Sequence, residues 1–177
     1  MTSAEKGTAM HFVMQKLDLN KVNSKEEIKS QLKDMVLKEL ISEEEYKVIN
    51  VSKIRGFFTS NLGKRLLKAN EKENNIFREL PFYTEISCLE TDENLPKEIA
   101  NEKVRLQGVI DCFFYEGDNV ILLDYKTDYV EKGKEEEVVD KYRIQLKYYK
   151  DALEKITGKK VSESYLYLFS LGKEVEI

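Results

Sequence analysis

Residues 108–126 have the sequence GVIDCFFYEGDNVILLDYK, in which two apolar runs flank a short polar turn. Gly117 and Asp118 suit a two-residue hairpin loop, because glycine accepts the positive φ that the first turn position requires. With that loop, pairing outward from the turn places Asp111 directly opposite Asp124. The stretch therefore predicts an antiparallel hairpin that brings two carboxylates together on neighbouring strands.

Asp111 and Asp124 would be an unfavourable pair if folding were the only requirement. Side chains that face each other on neighbouring strands have Cβ atoms roughly 5 Å apart, so that two negative charges repel. A divalent cation removes this repulsion, and oxygen-rich sites of this kind suit Mg²⁺ or Mn²⁺. We therefore expect the two aspartates to hold a metal ion.

Lys126 follows Asp124 by two residues and so projects from the same face of the predicted strand. An ammonium group beside a metal can stabilise charge on a phosphoryl oxygen and can orient a water molecule. Together with Asp111, these residues favour metal-assisted hydrolysis of a phosphodiester. The alternative is that Asp124 and Lys126 end a strand, turn into solvent and pair only with each other.

The rest of the chain divides into a helical part and a strand-rich part. Capping-box patterns begin at Thr2, Ser24 and Ser42, and apolar residues recur at helical spacing as far as residue 67. From Glu79 the period changes to two, with regular alternation expected along residues 104–114. Strands are predicted over 82–89, 104–114, 120–125 and 164–169 with a further hairpin to 177, a surface loop over 90–103, and a long helix over 135–157. We expect a mixed sheet flanked by helices.

The composition excludes several classes of protein. No apolar run approaches the roughly 18 residues of a membrane span and no secretory signal opens the chain, so we expect a cytoplasmic protein. Cys88 and Cys112 are too few for a four-cysteine iron–sulfur or zinc site, and we expect both to be small buried residues. The segment from Gly56 to Lys64 has the wrong glycine spacing for a Walker motif, and Arg65 replaces the required Ser or Thr.

The formal net charge of −4 argues against a free-standing protein that binds nucleic acid tightly. Contacts from Lys and Arg to phosphates supply most non-specific affinity for DNA. If this chain acts on DNA, we expect another protein segment to deliver the strand.

Three motifs together resemble the RecB-type branch of the PD-(D/E)xK nucleases: Gly108-Val-Ile-Asp111, Asp124-Tyr-Lys-Thr-Asp128 and Gln145-Leu-Lys-Tyr-Tyr149. The likeness is closest to the nuclease domains of the AddA subunits of bacterial AddAB helicase-nucleases, and it covers almost the whole chain. It implies an α/β, restriction-endonuclease-like fold with a helical N-terminal half. It also implies that residues 1–177 are a single nuclease domain excised from the C-terminus of a larger helicase-nuclease.

The resemblance implies four ligands for Mg²⁺, with Mn²⁺ as a substitute: the side chains of His11, Asp111 and Asp124 and the main-chain carbonyl of Tyr125. From the residues alone, His11 could equally be a structural histidine, because a lone helical histidine is seldom a ligand. Its imidazole could complete a carboxylate site, and Gly7, one turn earlier, would leave room for close approach.

Lys126 matches the catalytic lysine of that family, and Gln145 and Tyr149 match its Q-x-x-x-Y motif, used near the active site and the DNA strand. Tyr142 and Tyr148 are better explained as core residues of an amphipathic helix. Glu79 could support a metal-bound water or be an ordinary acid at a strand edge. Thr127 and Asp128 are expected to brace the turn after Lys126.

By resemblance, we expect a Mg²⁺-dependent deoxyribonuclease that works in double-strand-break processing and recombination. It would cut the 3′-terminated strand that AddA helicase domains deliver in cis, with an AddB subunit as partner, and with neither ATP nor an iron–sulfur cluster bound to this chain. One rival is a catalytically silent docking module with a nuclease fold. Another is a free-standing exonuclease that acts on RNA or branched DNA.

Overall fold

The computed structural model describes residues 1–87 and 102–177. The strands of this part form one sheet in the order β1-β2-β3-β4-β5. They are β1 (Ile76–Ser87), β2 (Lys103–Glu116), β3 (Asn119–Lys126), β4 (Val161–Leu168) and β5 (Lys173–Glu176). β3 and β4 run parallel, whereas the other neighbouring strands pair antiparallel. The prediction of a mixed sheet is therefore confirmed.

The helices begin and end close to the predicted signals. They are α1 (Ser3–Lys16), α2 (Lys25–Leu37), α3 (Glu43–Val48), α4 (Val51–Thr59), α5 (Asn61–Ala69) and α6 (Glu135–Thr157), with a 3₁₀ turn at Leu19–Lys21. The three predicted capping boxes, at Thr2, Ser24 and Ser42, are all formed. Gly158 ends α6 with a φ of 67°, so the predicted long helix has its predicted bounds.

Helices cover both faces of the sheet and create two apolar cores. Helices α1 to α5 pack on one face, where Val13, Phe57 and Tyr167 are fully buried. Helix α6 packs on the other face through Leu146 and Leu153. β3 is buried on both faces, as expected for a central strand with a parallel neighbour. The polar groups at the end of β3 are therefore held on a rigid element.

The hairpin of β2 and β3 has the predicted register. Cys112 pairs with Leu123 and Glu116 pairs with Asn119, and Gly117 has a φ of 63° in the turn. The last pair of this ladder, Cys112 with Leu123, lies immediately next to Asp111 and Asp124. The two aspartates therefore sit where the two strands stop pairing.

The predicted regular alternation along residues 104–114 is wrong at one point. Cys112 belongs to the core under α1 to α5, whereas Ile110, two residues earlier, belongs to the core under α6. On the partner strand, Glu79 lies between residues that pair with these two and has a φ of 54°. Such a conformation costs roughly 1–3 kcal/mol for a residue other than glycine. β1 and β2 thus turn over together at Glu79 and Asp111.

Two strand boundaries also differ from the prediction. β1 begins at Ile76 instead of residue 82, because Phe77 stacks on Phe113 with ring centroids 4.6 Å apart and extends the pairing. β4 begins at Val161 instead of residue 164. Most of the predicted loop over 90–103, and Cys88, lie outside the described residues, whereas Cys112 is fully buried as predicted.

Among the helices in the described ranges, none combines the length and apolar character that crossing a membrane would require.

Arg65 ties α5 to the end of the sheet opposite the two aspartates. Its guanidinium donates to Glu116 at 2.9 and 2.7 Å and to Glu163 at 2.7 and 3.0 Å. The Tyr165 hydroxyl also donates to Glu163, at 2.6 Å. These hydrogen bonds, first from Arg65 and then from Tyr165, hold the pKa of Glu163 below its ordinary value of 4.5.

The Glu163→Gln variant tests this contact through the pH dependence of stability. A carboxyl whose pKa is lowered in the folded state stabilises it above the ordinary pKa, and this contribution disappears as the pH falls through the lowered value. We expect Glu163→Gln to be less stable than wild type by up to about 1 kcal/mol at pH 7, and the difference to shrink towards pH 3. Urea unfolding at both pH values measures it. The exposed Glu73→Gln serves as control, and an equal loss at both pH values would contradict the assignment.

Candidate active site

A hydrogen bond places Asp111 at the end of β3. Its Oδ2 accepts from the main-chain amide of Tyr125 at 2.7 Å, just beyond the last ladder pair of the hairpin. The carboxylate thus takes the position that a carbonyl of β2 would have occupied had the pairing continued. Because a buried amide needs a partner, this bond fixes the direction of the Asp111 side chain.

Helix α1 brings His11 to Asp111. His11 Nδ1 lies 3.2 Å from Asp111 Oδ1. Burial alone would lower the pKa of His11, but the hydrogen bond to Asp111 and the negative charges around it outweigh burial and raise the pKa. One turn earlier, a Cβ on Gly7 would lie 2.9 Å from Thr127 Oγ1. The missing side chain of Gly7 therefore lets α1 approach the end of β3.

Glu79 completes a group of three side chains that could hold a metal ion. His11, Glu79 and Asp111 each offer one ligand atom, and these atoms all lie within 4.8 Å of one another. Burial, and then the charge of Asp111, raise the pKa of Glu79. Its side chain reaches the group from the residue where the backbone of β1 is left-handed. A regular β pattern gives no sign of that conformation, which is why the sequence left the role of Glu79 open.

Asp124 and Lys126 form a buried ion pair. Lys126 Nζ lies 2.7 Å from Asp124 Oδ2, and the two residues are only 9% and 2% exposed, respectively. The alternative of a pair turned into solvent is therefore wrong, although the pairing itself is present. Burial and the charge of Asp111 raise the pKa of Asp124, and Lys126 opposes them. Asp124 lies next to the three-residue group but is not one of its members.

Residues of α6 surround the ammonium group of Lys126. Lys126 Nζ donates to Gln145 Oε1 at 3.0 Å, and Gln145 Nε2 donates to the Tyr149 hydroxyl at 2.7 Å. The ring of Tyr142 lies 3.8 Å from Nζ, and its hydroxyl donates to Asp128 at 2.9 Å. The predicted Q-x-x-x-Y pair and the predicted lysine are thus in direct contact.

Tyr142 is the residue that the sequence undervalued. It packs against the core under α6 as predicted, but its ring also covers Lys126 and its hydroxyl braces Asp128. A signal was available, because residues three and seven positions apart share one helix face, which is the spacing from Tyr142 to Gln145 and to Tyr149.

The donor atoms fit a divalent cation. Carboxylate oxygens and one imidazole nitrogen are ligands that Mg²⁺ or Mn²⁺ accepts. Within the described ranges, Asp124 Oδ2 accepts no well-directed hydrogen bond, although it is buried beside the group. A cation here would offset the repulsion between Asp111, Glu79 and Asp124.

Comparison with known proteins agrees with this geometry. Residues 1–175 match the family model of the PD-(D/E)XK nuclease superfamily. The chain belongs to this superfamily. The PD-(D/E)XK fold thus accounts for the mixed sheet flanked by helices, and the group of His11, Glu79 and Asp111 lies where strands of that sheet diverge.

Curated relatives place this PD-(D/E)XK chain among the ATP-dependent helicase/nuclease A subunits. It is 57% identical to the subunit of Clostridium beijerinckii over its whole length. It is 52% identical to that of Thermoanaerobacter sp. (strain X514), and 53% identical to that of Clostridium perfringens, over 99% of its length. In each case it spans 14% of the relative. The similarity therefore concerns the nuclease part of much longer proteins.

The Gly7→Ala variant tests whether close packing of α1 positions His11. The added methyl would meet Thr127 Oγ1, so that α1 must shift and carry His11 away from Asp111. We expect weaker Mn²⁺ binding by calorimetry and partial recovery when Thr127→Ala removes the opposing atom, with a coupling of roughly 0.5–3 kcal/mol.

Gly56→Ala in α4 is the matched control, because nothing lies within 4 Å of a Cβ at that position. An alanine in a helix should, if anything, raise stability there by up to about 1 kcal/mol. If Gly7→Ala and Gly56→Ala bound Mn²⁺ equally well, the packing of Gly7 on Thr127 would not position His11.

Proposed function

We propose that this chain, residues 1–177, is a single nuclease domain of a larger helicase-nuclease and that it hydrolyses DNA phosphodiesters with a bound divalent cation. The observation that carries the proposal is the convergence of His11, Glu79 and Asp111 within 4.8 Å, beside the buried pair of Asp124 and Lys126. Buried acids that repel one another and a buried lysine are costly to folding, and metal-assisted catalysis gives them a purpose.

In this proposal, His11, Asp111, Asp124 and the main-chain carbonyl of Tyr125 hold Mg²⁺, for which Mn²⁺ can substitute, and Glu79 adds a ligand or holds a bound water. The cation would polarise the phosphodiester and acidify a water molecule. The other steps belong to side chains of the chain itself.

Lys126 would stabilise the negative charge that builds up on the phosphoryl oxygens during attack. Gln145 accepts from Lys126 and donates to Tyr149, so this pair would hold the ammonium group in place. Tyr149 is only half-buried, and its exposed edge would contact the DNA strand near the scissile bond.

The relatives' name, which combines helicase and nuclease, supports a role in processing DNA ends during double-strand-break repair and recombination. We propose that helicase domains in cis deliver the 3′-terminated strand to this domain, with an AddB-type subunit as partner, in the cytoplasm. The net charge of −4 supports delivery over independent capture of DNA.

Cleavage of labelled single-stranded DNA tests the proposed activity. We expect products with Mg²⁺ or Mn²⁺ and none with EDTA. Alanine at Asp111 or Asp124, or Lys126→Gln, should lower the rate by at least roughly a hundredfold, because each removes a group that stabilises the transition state. Glu73→Gln provides the control. A wild-type domain without metal-dependent products would instead favour a docking module, and products with RNA or branched DNA alone would favour a free-standing exonuclease.

Thermal unfolding with Mn²⁺ separates metal binding from chemistry. A ligand at 100 times its Kd stabilises the folded state by about 2.7 kcal/mol, so Mn²⁺ should raise the Tm of the wild-type domain. His11→Ala and Asp111→Ala should reduce this rise, because they remove ligands. Lys126→Gln should keep the rise while losing cleavage. A loss of the Mn²⁺ effect in Lys126→Gln alone would argue against these assignments.

A further inference from the structure

An open cleft leads away from the candidate active site along the side of α1. Its volume is about 840 Å³, within the range of ligand-binding clefts. His11 and Glu79 line one part of it, so the cleft and the metal group share two side chains. A molecule whose reacting bond reaches the metal group could therefore extend into the cleft.

Two lysines in the cleft have no carboxylate partner. Lys6 lies in the first turn of α1 and Lys53 in the first turn of α4, and both line the cleft with exposed side chains. Within the part of the chain that the structure describes, neither side chain forms an ion pair. Unpaired ammonium groups beside a substrate site attract phosphates, and the positive helix ends nearby add to that attraction.

Tyr129 offers an aromatic surface at the cleft. It is 88% exposed, which is unusual for a large ring. The loop that carries it is anchored on both sides, because Asp128 accepts from the Tyr142 hydroxyl at 2.9 Å and the Val130 amide donates to Ser170 Oγ at 3.1 Å. A ring on an anchored loop is suited to stacking on a nucleic acid base.

We infer that this cleft, which we name the α1 cleft, binds the part of a single-stranded DNA substrate that adjoins the scissile phosphodiester. Lys6 and Lys53 contact its phosphates, and Tyr129 stacks on a base. The assignment rests on the proposed nuclease function and adds the residues that hold the strand. Base stacking and phosphate contacts carry little sequence information, so the α1 cleft binds strands of any sequence. The carboxylates of Glu79 and Asp128 also line it, so its positive charge is local to the lysines.

Fluorescence anisotropy with a labelled single-stranded oligonucleotide in EDTA tests the α1 cleft without cleavage. The Lys6→Gln/Lys53→Gln double variant should weaken binding at low salt. The slope of log Kd against log salt concentration should decrease by about 1.4, because each phosphate contact with a single strand contributes about 0.7. Lys29→Gln/Lys33→Gln is the matched control, since these exposed lysines of α2 change the net charge equally and do not line the cleft. An equal effect of both double variants would overturn the inference.

Tyr129→Leu should weaken binding roughly 5- to 150-fold, the loss expected for one base stack, and Tyr129→Phe should retain it. A duplex of the same sequence should bind more weakly than the single strand; if the lysine variant weakened the duplex equally, the single-strand assignment would fail. Circular dichroism and Tm confirm that each variant is folded.

Failure of this inference differs from failure of the proposed function. If the wild-type domain cleaves DNA with Mn²⁺ but the cleft variants bind like wild type, only the α1 cleft is wrong. If the wild-type domain binds single strands through Lys6, Lys53 and Tyr129 but yields no products, only the hydrolytic function is wrong. Absence of any wild-type binding at low salt overturns the α1 cleft directly.

Discussion

The hydrogen bond from the Tyr125 amide to Asp111 Oδ2 determines how the candidate active site is built. It lies where the ladder between β2 and β3 ends, and it uses a carboxylate in place of a main-chain carbonyl. Because its Oδ2 is engaged by the main chain, Asp111 is left with Oδ1 to meet His11 at 3.2 Å. One side chain therefore joins the sheet to α1 and orients the site at the same time.

The site concentrates features that oppose folding. Asp124 and Lys126 are buried, Glu79 has a left-handed backbone, and carboxylates face one another with raised pKa values at Glu79 and Asp124. Surrounding contacts offset part of this cost, as Gln145 accepts from Lys126 and the Tyr142 ring lies over it. Such costs are typical of sites whose electrostatics are arranged for chemistry.

The distribution of charge connects the domain to its proposed substrate. A net charge of −4 gives the whole chain little attraction for DNA, yet Lys6 and Lys53 stand without carboxylate partners beside the metal group. In the proposed arrangement, a helicase supplies the strand and these local contacts only need to hold it. Away from this region, Arg65 is compensated by two glutamates and serves the fold.

The sequence by itself determined the local elements: the three capping boxes, the end of α6 at Gly158 and the hairpin turn at Gly117. These follow from short-range rules of hydrogen bonding and backbone conformation, and the turn fixed the register that brings Asp111 to β3. Only the tertiary structure decided that Glu79 joins His11 and Asp111, that Tyr142 covers Lys126, and that Lys6, Lys53 and Tyr129 share one cleft. The reason is physical: those contacts depend on a turn-over of β1 and β2 and on the packing of α1 and α6 against the sheet. Residues distant in sequence set both, and no local pattern records them.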